Sequence, residues 1–261
     1  MNVDLKGFRA VITGGSNGLG YEMSKALLSK GATVAIASRA GARLNKAYAA
    51  LKDEGFDVFA LEMDVRSEAS IETAAYWVSE NWGRLDMVVN NAGLSQSVVG
   101  GGQTVRPVPF FEVPPKAFYD MVETNFIGYF LVARAFVPIM IRNGGGRLIN
   151  VSTGIGTMTA PGMLPYGPAR AGAEAMSVIM TGEMKPFNVT VNVLLPGGPC
   201  DTGFVTEENR AHFSTVGLLP ASIMNEAILF LASDKAAGLT GERIIARELH
   251  KWLDEKGIDI Y

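Results

Sequence analysis

Short apolar runs alternate along this chain with longer stretches whose apolar positions recur every three or four residues. The runs Phe8 to Thr13, Thr33 to Ser38, Asp57 to Glu62, Leu85 to Val89, Arg147 to Val151 and Val189 to Leu195 are rich in Val, Ile and Ala. They are too continuous for one wet face and predict strands buried on both sides. Between them, Gly18 to Lys30, Gly41 to Glu54, Ser67 to Trp82, Lys116 to Arg142, Tyr166 to Lys185 and Ser222 to Ala232 carry helical periodicity. Gly31 is placed to end the first of these helices. Arg243 to Ala246 predicts a last short strand, and Ile245, Leu249, Trp252 and Lys256 a terminal helix.

Strand–helix alternation of this kind predicts an α/β fold, a doubly wound parallel sheet of about seven strands with helices on both faces. No shift in composition marks a boundary, so residues 1–261 are expected to form one domain. Two segments break the pattern. Ser95 to Pro115 holds Gly100-Gly101-Gly102, Pro107, Pro109 and Pro114-Pro115, and Gly197 to Pro220 has few regular signals. Both follow strands, and so emerge at the carboxyl edge of the sheet, where such folds bind ligands. Residues 197–220 are expected to form a mobile lid over a substrate.

Composition narrows the function classes. The 261 residues are 48% hydrophobic with a formal net charge of -3, unlike a nucleic-acid or membrane-surface binder. Cys200 is the single cysteine, so no intrachain disulfide can form. The start lacks an apolar leader core, and no run of about 18 apolar residues predicts a membrane span. The cytoplasm is the expected compartment. His212 and His250 stand alone, and no Cys/His/Asp cluster has metal-ligand spacing, so no metal is expected.

The chemistry sits in the turns. Thr13-Gly14-Gly15-Ser16-Asn17-Gly18-Leu19-Gly20 joins a predicted strand to a predicted helix. Glycines there let the backbone approach a pyrophosphate, and the helix N-terminus favours its charge. The end of the second strand, where an acidic residue would bind a ribose 2′-hydroxyl, reads Ser38-Arg39. A hydroxyl and a guanidinium suit a 2′-phosphate, so NADP is the expected cofactor. Tyr166 and Arg170 stand at i and i+4, on one side of a helix. A phenol with a pKa of about 10 needs a nearby cation to exchange protons near neutral pH.

These residues resemble the short-chain dehydrogenase/reductase superfamily over nearly the whole chain. Thr13 to Gly20 resembles its cofactor turn, Met63-Asp64-Val65 its adenine-side segment, and Asn90-Asn91-Ala92-Gly93 the end of its fourth strand. The resemblance assigns cofactor binding to Gly14, Ser16, Asn17, Gly18, Leu19, Gly20, Ser38, Arg39, Asp64, Val65, Asn91, Ala92, Gly93, Tyr166, Arg170, Pro196, Gly197 and Thr202. It assigns catalysis to Asn125, Thr153, Tyr166 and Arg170, with Asn125 holding a water in a proton relay and Thr153 polarising the substrate oxygen. Two positions depart from the pattern: Thr153 stands where the family has serine, and Arg170 where it has lysine. The implied activity is NADP(H)-dependent interconversion of a carbonyl and an alcohol on a small or medium-sized, partly apolar substrate. The substitution at Arg170 leaves a second reading, a cofactor-binding sensor or partner subunit with little turnover. The helices Lys116 to Arg142 and Tyr166 to Lys185 resemble the family's dimerising pair, so a homo-oligomer is expected, a tetramer before a dimer.

Overall fold

The structure, a computed structural model, describes residues 3–100, 107–205, 210 and 217–260. Its strands are β1 (Arg9–Thr13), β2 (Thr33–Ser38), β3 (Val58–Glu62), β4 (Met87–Asn90), β5 (Gly146–Val151), β6 (Val189–Leu195), the short β7 (Cys200–Asp201) and β8 (Leu219–Pro220), and β9 (Arg243–Ile245). Its helices are α1 (Gly18–Leu28), α2 (Ala42–Asp53), α3 (Glu68–Trp82), α4 (Pro115–Val122), α5 (Gly128–Arg142), α6 (Ile155–Thr159), α7 (Tyr166–Met184), α8 (Asn225–Ala232) and α9 (Leu249–Lys256).

Seven strands make one parallel sheet in the order β3-β2-β1-β4-β5-β6-β9. Successive residues of a strand face opposite sides. Accordingly Ala10 and Ile12 of β1 join a core with α1, α8 and α9, whereas Val11 joins the core with α3 and α5. The first core is built on Met23, Leu27, Ile228 and Phe230. The second is built on Val78, Trp82, Val132 and Phe136. Strand order reverses between β1 and β4, and a crevice opens there at the carboxyl ends of the strands.

Local signals explain several boundaries. Ser67 caps α3 by accepting from the backbone N–H of Ser70, and Gly83 closes that helix at φ 65. Gly257 ends α9 at φ 67. Leu249 and Leu253 bury one stripe of α9 against the chain's own core. The run Pro115–Arg142 is long and apolar enough to cross a membrane by length and composition. It is instead a core helix, with α5 packed on α3, β4 and β5.

The structure adds three features to the expected pattern. A five-residue π turn, Glu123–Ile127, joins α4 to α5. Helix α6 fills part of the link between β5 and α7. Strands β7 and β8 pair in parallel, drawing together the two ends of the segment expected as a lid. Residues 206–209 and 211–216 of that lid lie outside the described residues.

A thread of buried amides crosses the middle of the sheet. Asn90 and Asn150 are partners in register on β4 and β5. Asn90 Nδ2 donates to Asn150 Oδ1 at 2.9 Å and to the Tyr129 carbonyl at 3.1 Å. Asn150 Nδ2 donates to Ser177 Oγ at 2.8 Å, and that hydroxyl donates to the Ala173 carbonyl at 2.7 Å. The thread ties α5 to α7 through two strands. Buried amides left unpaired would cost about 1–3 kcal/mol each, so the pairing favours one register.

Candidate active site

The crevice measures about 1180 Å³ and runs from the turn after β1 to the mouth between α6, α7 and the β6–β7 loop. Its floor is held by Thr13, fully buried at the end of β1. Thr13 Oγ1 accepts from the backbone N–H groups of Asn91 and Ala92, each at 2.9 Å. In return Asn91 Nδ2 donates to the Thr13 carbonyl at 2.9 Å. The two loops at the strand-order reversal are thereby fixed to each other.

The glycine turn has the shape of a phosphate cradle. Gly14 lies at φ +66, and a Cβ there would stand 2.9 Å from Asn91 Nδ2. A Cβ on Gly20 would collide with the Gly14 carbonyl oxygen. Gly18, at φ +54, lies under Thr202, and a Cβ on Gly18 would stand 3.1 Å from the Thr202 Cβ. Helix α1 begins at Gly18 with no side-chain cap and no acidic residue in its first turn. Its first N–H groups and positive end therefore suit an anion. Uncapped donors and close backbone approach together fit a dinucleotide pyrophosphate.

At the end beside β2 and β3 the crevice is lined by Ser38, Arg39, Arg43, Asp64, Val65 and Arg66. Ser38 is held by Ser16, whose hydroxyl donates to it at 3.1 Å. Burial alone would raise the Asp64 carboxyl, but bonds from Arg66 outweigh this and hold it below its ordinary value. Arg66 Nη2 lies 3.2 Å from Asp64 Oδ2. Arg43, in the first turn of α2, adds a second guanidinium beside Arg39, and no motif in the sequence singles it out.

At the other end, Tyr166 opens α7 and Arg170 follows one turn later. The Arg170 guanidinium meets two rings, with Cζ 5.4 Å from the centroids of both Tyr129 and Tyr166. Arg170 is only 3% exposed. Its Nη1 donates to Tyr129 Oη at 2.5 Å and to the Val151 carbonyl at 2.9 Å. A Cβ on Gly93 would stand 2.5 Å from Nη2, so only glycine leaves room for the guanidinium. Burial opposes the charge, but the phenols of Tyr129 and Tyr166 favour it and raise the guanidinium further above its usual range. Burial pushes the Tyr129 phenol up as well, against the pull of Arg170, so a neutral phenol meets a permanent cation.

The expected site residues gather in one place. Gly14, Ser16, Asn17, Gly18, Leu19, Ser38, Arg39, Asp64, Val65, Asn91, Ala92, Gly93, Thr153, Tyr166, Arg170, Pro196, Gly197 and Thr202 all line the crevice. Gly20 lies beneath the turn rather than on its surface. Asn125 does not line the crevice either and is fully buried in the π turn. Its Oδ1 accepts from the Leu94 N–H at 2.7 Å, and its Nδ2 donates to the Leu94 carbonyl at 2.9 Å. The Asn125 side chain thus clamps the loop after β4 and does not face the cavity.

Ser152 and Thr153 both line the crevice but differ in exposure. Ser152 Oγ is sealed from solvent with no hydrogen-bond partner, whereas Thr153 is half-buried on the crevice wall. Arg243 of β9 donates from Nη2 to the Thr153 carbonyl at 2.7 Å and from Nε to Glu174 Oε2 of α7 at 2.9 Å. Gln96 Nε2 donates to the Leu164 carbonyl at 2.7 Å, steadying the entry to α7. Arg243 and Gln96 act across long sequence distances, and no local pattern marks them.

A doubly wound parallel sheet with a phosphate-cradling turn at its switch point defines a dinucleotide-binding oxidoreductase fold. Residues 9–212 match the short chain dehydrogenase family, and the chain belongs to it. It is 28% identical over 255 residues to the uncharacterized oxidoreductase YxjF of Bacillus subtilis (strain 168), covering 90% of this chain and 95% of that one. It is 28% identical over 252 residues to the 3-oxoacyl-(acyl-carrier-protein) reductase FabG of Escherichia coli (strain K12), covering 93% and 96%. Among solved structures, a candidate short-chain alcohol dehydrogenase from Sinorhizobium meliloti 1021 superposes with a TM-score of 0.82 at 29% identity, covering 95% and 98%. A short-chain type dehydrogenase/reductase from Mycobacterium marinum gives 0.80 at 25% identity, covering 93% and 94%. The protein is an oxidoreductase of this family, which uses nicotinamide cofactors.

Proposed function

We propose that the protein is an NADP(H)-dependent reductase or dehydrogenase that interconverts a carbonyl and an alcohol on a small or medium-sized, partly apolar substrate. The observation that carries the reading is the continuity of one crevice from the α1 N-terminus to the Tyr166–Arg170 pair. The cradle of Gly14, Gly18 and Gly20 would hold the pyrophosphate, and Ser38, Arg39 and Arg43 a 2′-phosphate. A bound nicotinamide supplies or takes up the hydride at carbon.

The chain's own residues handle the oxygen. Tyr166 gives its phenolic proton to the carbonyl oxygen in reduction and takes it back in oxidation. Arg170 keeps a positive charge against that ring, with Cζ 5.4 Å from its centroid. Thr153, on the adjoining wall, donates a hydrogen bond to the same substrate oxygen. Ile155, Met163, Val98 and Leu94 line the crevice mouth and suit an apolar substrate portion.

Self-association is part of this reading. Ile127 at the end of the π turn, Phe130 at the start of α5, and Val178 and Ile179 on α7 are exposed between 41% and 72%. Pairing of these helices with a second copy would cover them. Light scattering at micromolar concentration tests this, and a monomer mass would refute it.

The central test is a panel of aldehydes, ketones and the matching alcohols, assayed with NADPH or NADH and their oxidised forms. Turnover with an NADPH preference, lost in Tyr166→Phe while cofactor binding persists, supports the reading. Cofactor binding with no turnover across the panel would favour the sensor reading instead.

A further inference from the structure

The buried cation of this site has no carboxylate to hold it. Arg170 forms no ion pair among the described residues. The ionisable groups that act on it are the phenols of Tyr129 and Tyr166 alone. Glu174, one turn further along α7, is turned to Arg243. A guanidinium in such a setting must be held by neutral acceptors and ring faces, because desolvation otherwise drives it toward water.

We propose that Tyr129 is the positioning residue for Arg170, anchoring the guanidinium from inside the protein so that the cation stands against Tyr166 whether or not a cofactor is bound. Four observations converge on this. Tyr129 Oη takes a hydrogen from Arg170 Nη1 and gives its own to the Val151 carbonyl at 3.1 Å. The same Nη1 also reaches that carbonyl, closing a three-member network. The guanidinium contacts both the Tyr129 ring and the Tyr166 ring, and the two cation–ring contacts are equal in length. The main chain at Tyr129 is itself fixed, because its carbonyl accepts from Asn90 in the thread that ends on α7.

Arg170 Nε has no partner and no solvent contact, so the guanidinium is held by its Nη1 bonds and the two ring contacts. Gly93, which lacks a Cβ, leaves the room that Nη2 occupies on the other side. The cation is thus preorganised by the fold, and its hold on the substrate-side phenol does not wait for the cofactor. This inference rests on the proposed catalytic pairing of Tyr166 with Arg170, but its first test does not depend on turnover.

The first test is nuclear magnetic resonance of the arginine side chains in the full-length protein, with the Arg170 signal assigned through Arg170→Lys. Slow rotation about the Arg170 Nε–Cζ bond is expected in the wild type, with and without NADP. Tyr129→Phe keeps the ring and removes the acceptor, and should release that rotation by at least tenfold. Gly93→Ala presses on Nη2 and should displace the same signal with Tyr129 intact, so the idea stays testable if Tyr129→Phe does not fold. Free rotation in the wild type, or unchanged rotation in folded Tyr129→Phe, would overturn the proposal.

The second test is catalytic. Tyr129→Phe should lower kcat about tenfold and leave the KM for cofactor within about twofold. A merely structural tyrosine would change the melting temperature but not that split. An unmoved kcat in the folded variant overturns the catalytic part. If the wild type turns over no substrate while the resonance test succeeds, the proposed function fails and the anchoring stands.

Discussion

Thr13 Oγ1 stands at the junction of the two loops that form the crevice floor, receiving N–H groups from both Asn91 and Ala92. Valine has nearly the same shape but offers no acceptor. Thr13→Val should therefore leave two part-buried donors unpaired and lower stability by about 1–3 kcal/mol. Cofactor affinity should fall with it, because the side chain of Asn91, whose main chain Thr13 fixes, bonds the Gly14 carbonyl at 3.4 Å. Thr13→Ser should keep most of both. Denaturant unfolding and cofactor titration of the two variants measure the difference.

Coenzyme choice is expected to follow Arg39 and Arg43, which line the end of the crevice beside β2 and β3 together with Ser38. Arg39→Asp should weaken NADPH binding by about 10–100-fold, the worth of charge-assisted bonds to phosphate, and leave NADH binding level or better. Arg43→Ala should show a smaller loss of the same sign. Fluorescence titration with both cofactors reads the ratio. Tighter binding of NADH than of NADPH by the unaltered protein would refute the preference.

Tyr166→Phe should abolish nearly all turnover and keep cofactor binding. Arg170→Ala should lower kcat, because the cation that stands against the Tyr166 ring is gone. Arg170→Lys keeps a charge but cannot span Tyr129 and Val151 as the guanidinium does, so its turnover should lie between that of Arg170→Ala and the wild type. Steady-state profiles from neutral to alkaline pH check the order.

Cys200 lines the crevice beside Thr202, and burial pushes its thiol up to about 11. At pH 8 its alkylation should run on the order of a hundredfold slower than that of a free thiol, since only the thiolate reacts. The rate should climb steeply toward pH 11. A saturating dinucleotide should slow it further by covering the crevice. Mass spectrometry of iodoacetamide-treated protein follows all three effects.

The cofactor end of the site is legible in the sequence because its signals are local. Gly14, Gly18 and Gly20 work through backbone shape, and a strand before and a helix after give them their meaning. Tyr166 and Arg170 are legible for the same reason, since i and i+4 on a helix face one way. Tyr129 is not. Along the chain it reads as one more periodic core position of a long apolar helix, and its partner lies 41 residues away. Arg243 meets Thr153 over 90 residues and escapes notice for the same reason. Asn125 is visible as a polar residue in that helix, but only the fold shows its amide turned to Leu94. Strands β7 and β8, two residues each, are too short for any periodicity to register.

The π turn at Glu123–Ile127 sets a constraint on chain length. A π turn carries one residue more than an α-helical path between the same ends. Each residue of an α-helix turns the chain by about 100°. Deleting a single residue inside this segment would rotate α5 by that angle relative to α4, or force the loss to be absorbed elsewhere. Asn125 would then face away from Leu94, or Tyr129 away from Arg170, although neither had been substituted. Insertions and deletions here should accordingly be far less tolerated than point changes at its exposed positions, Glu123 and Ile127.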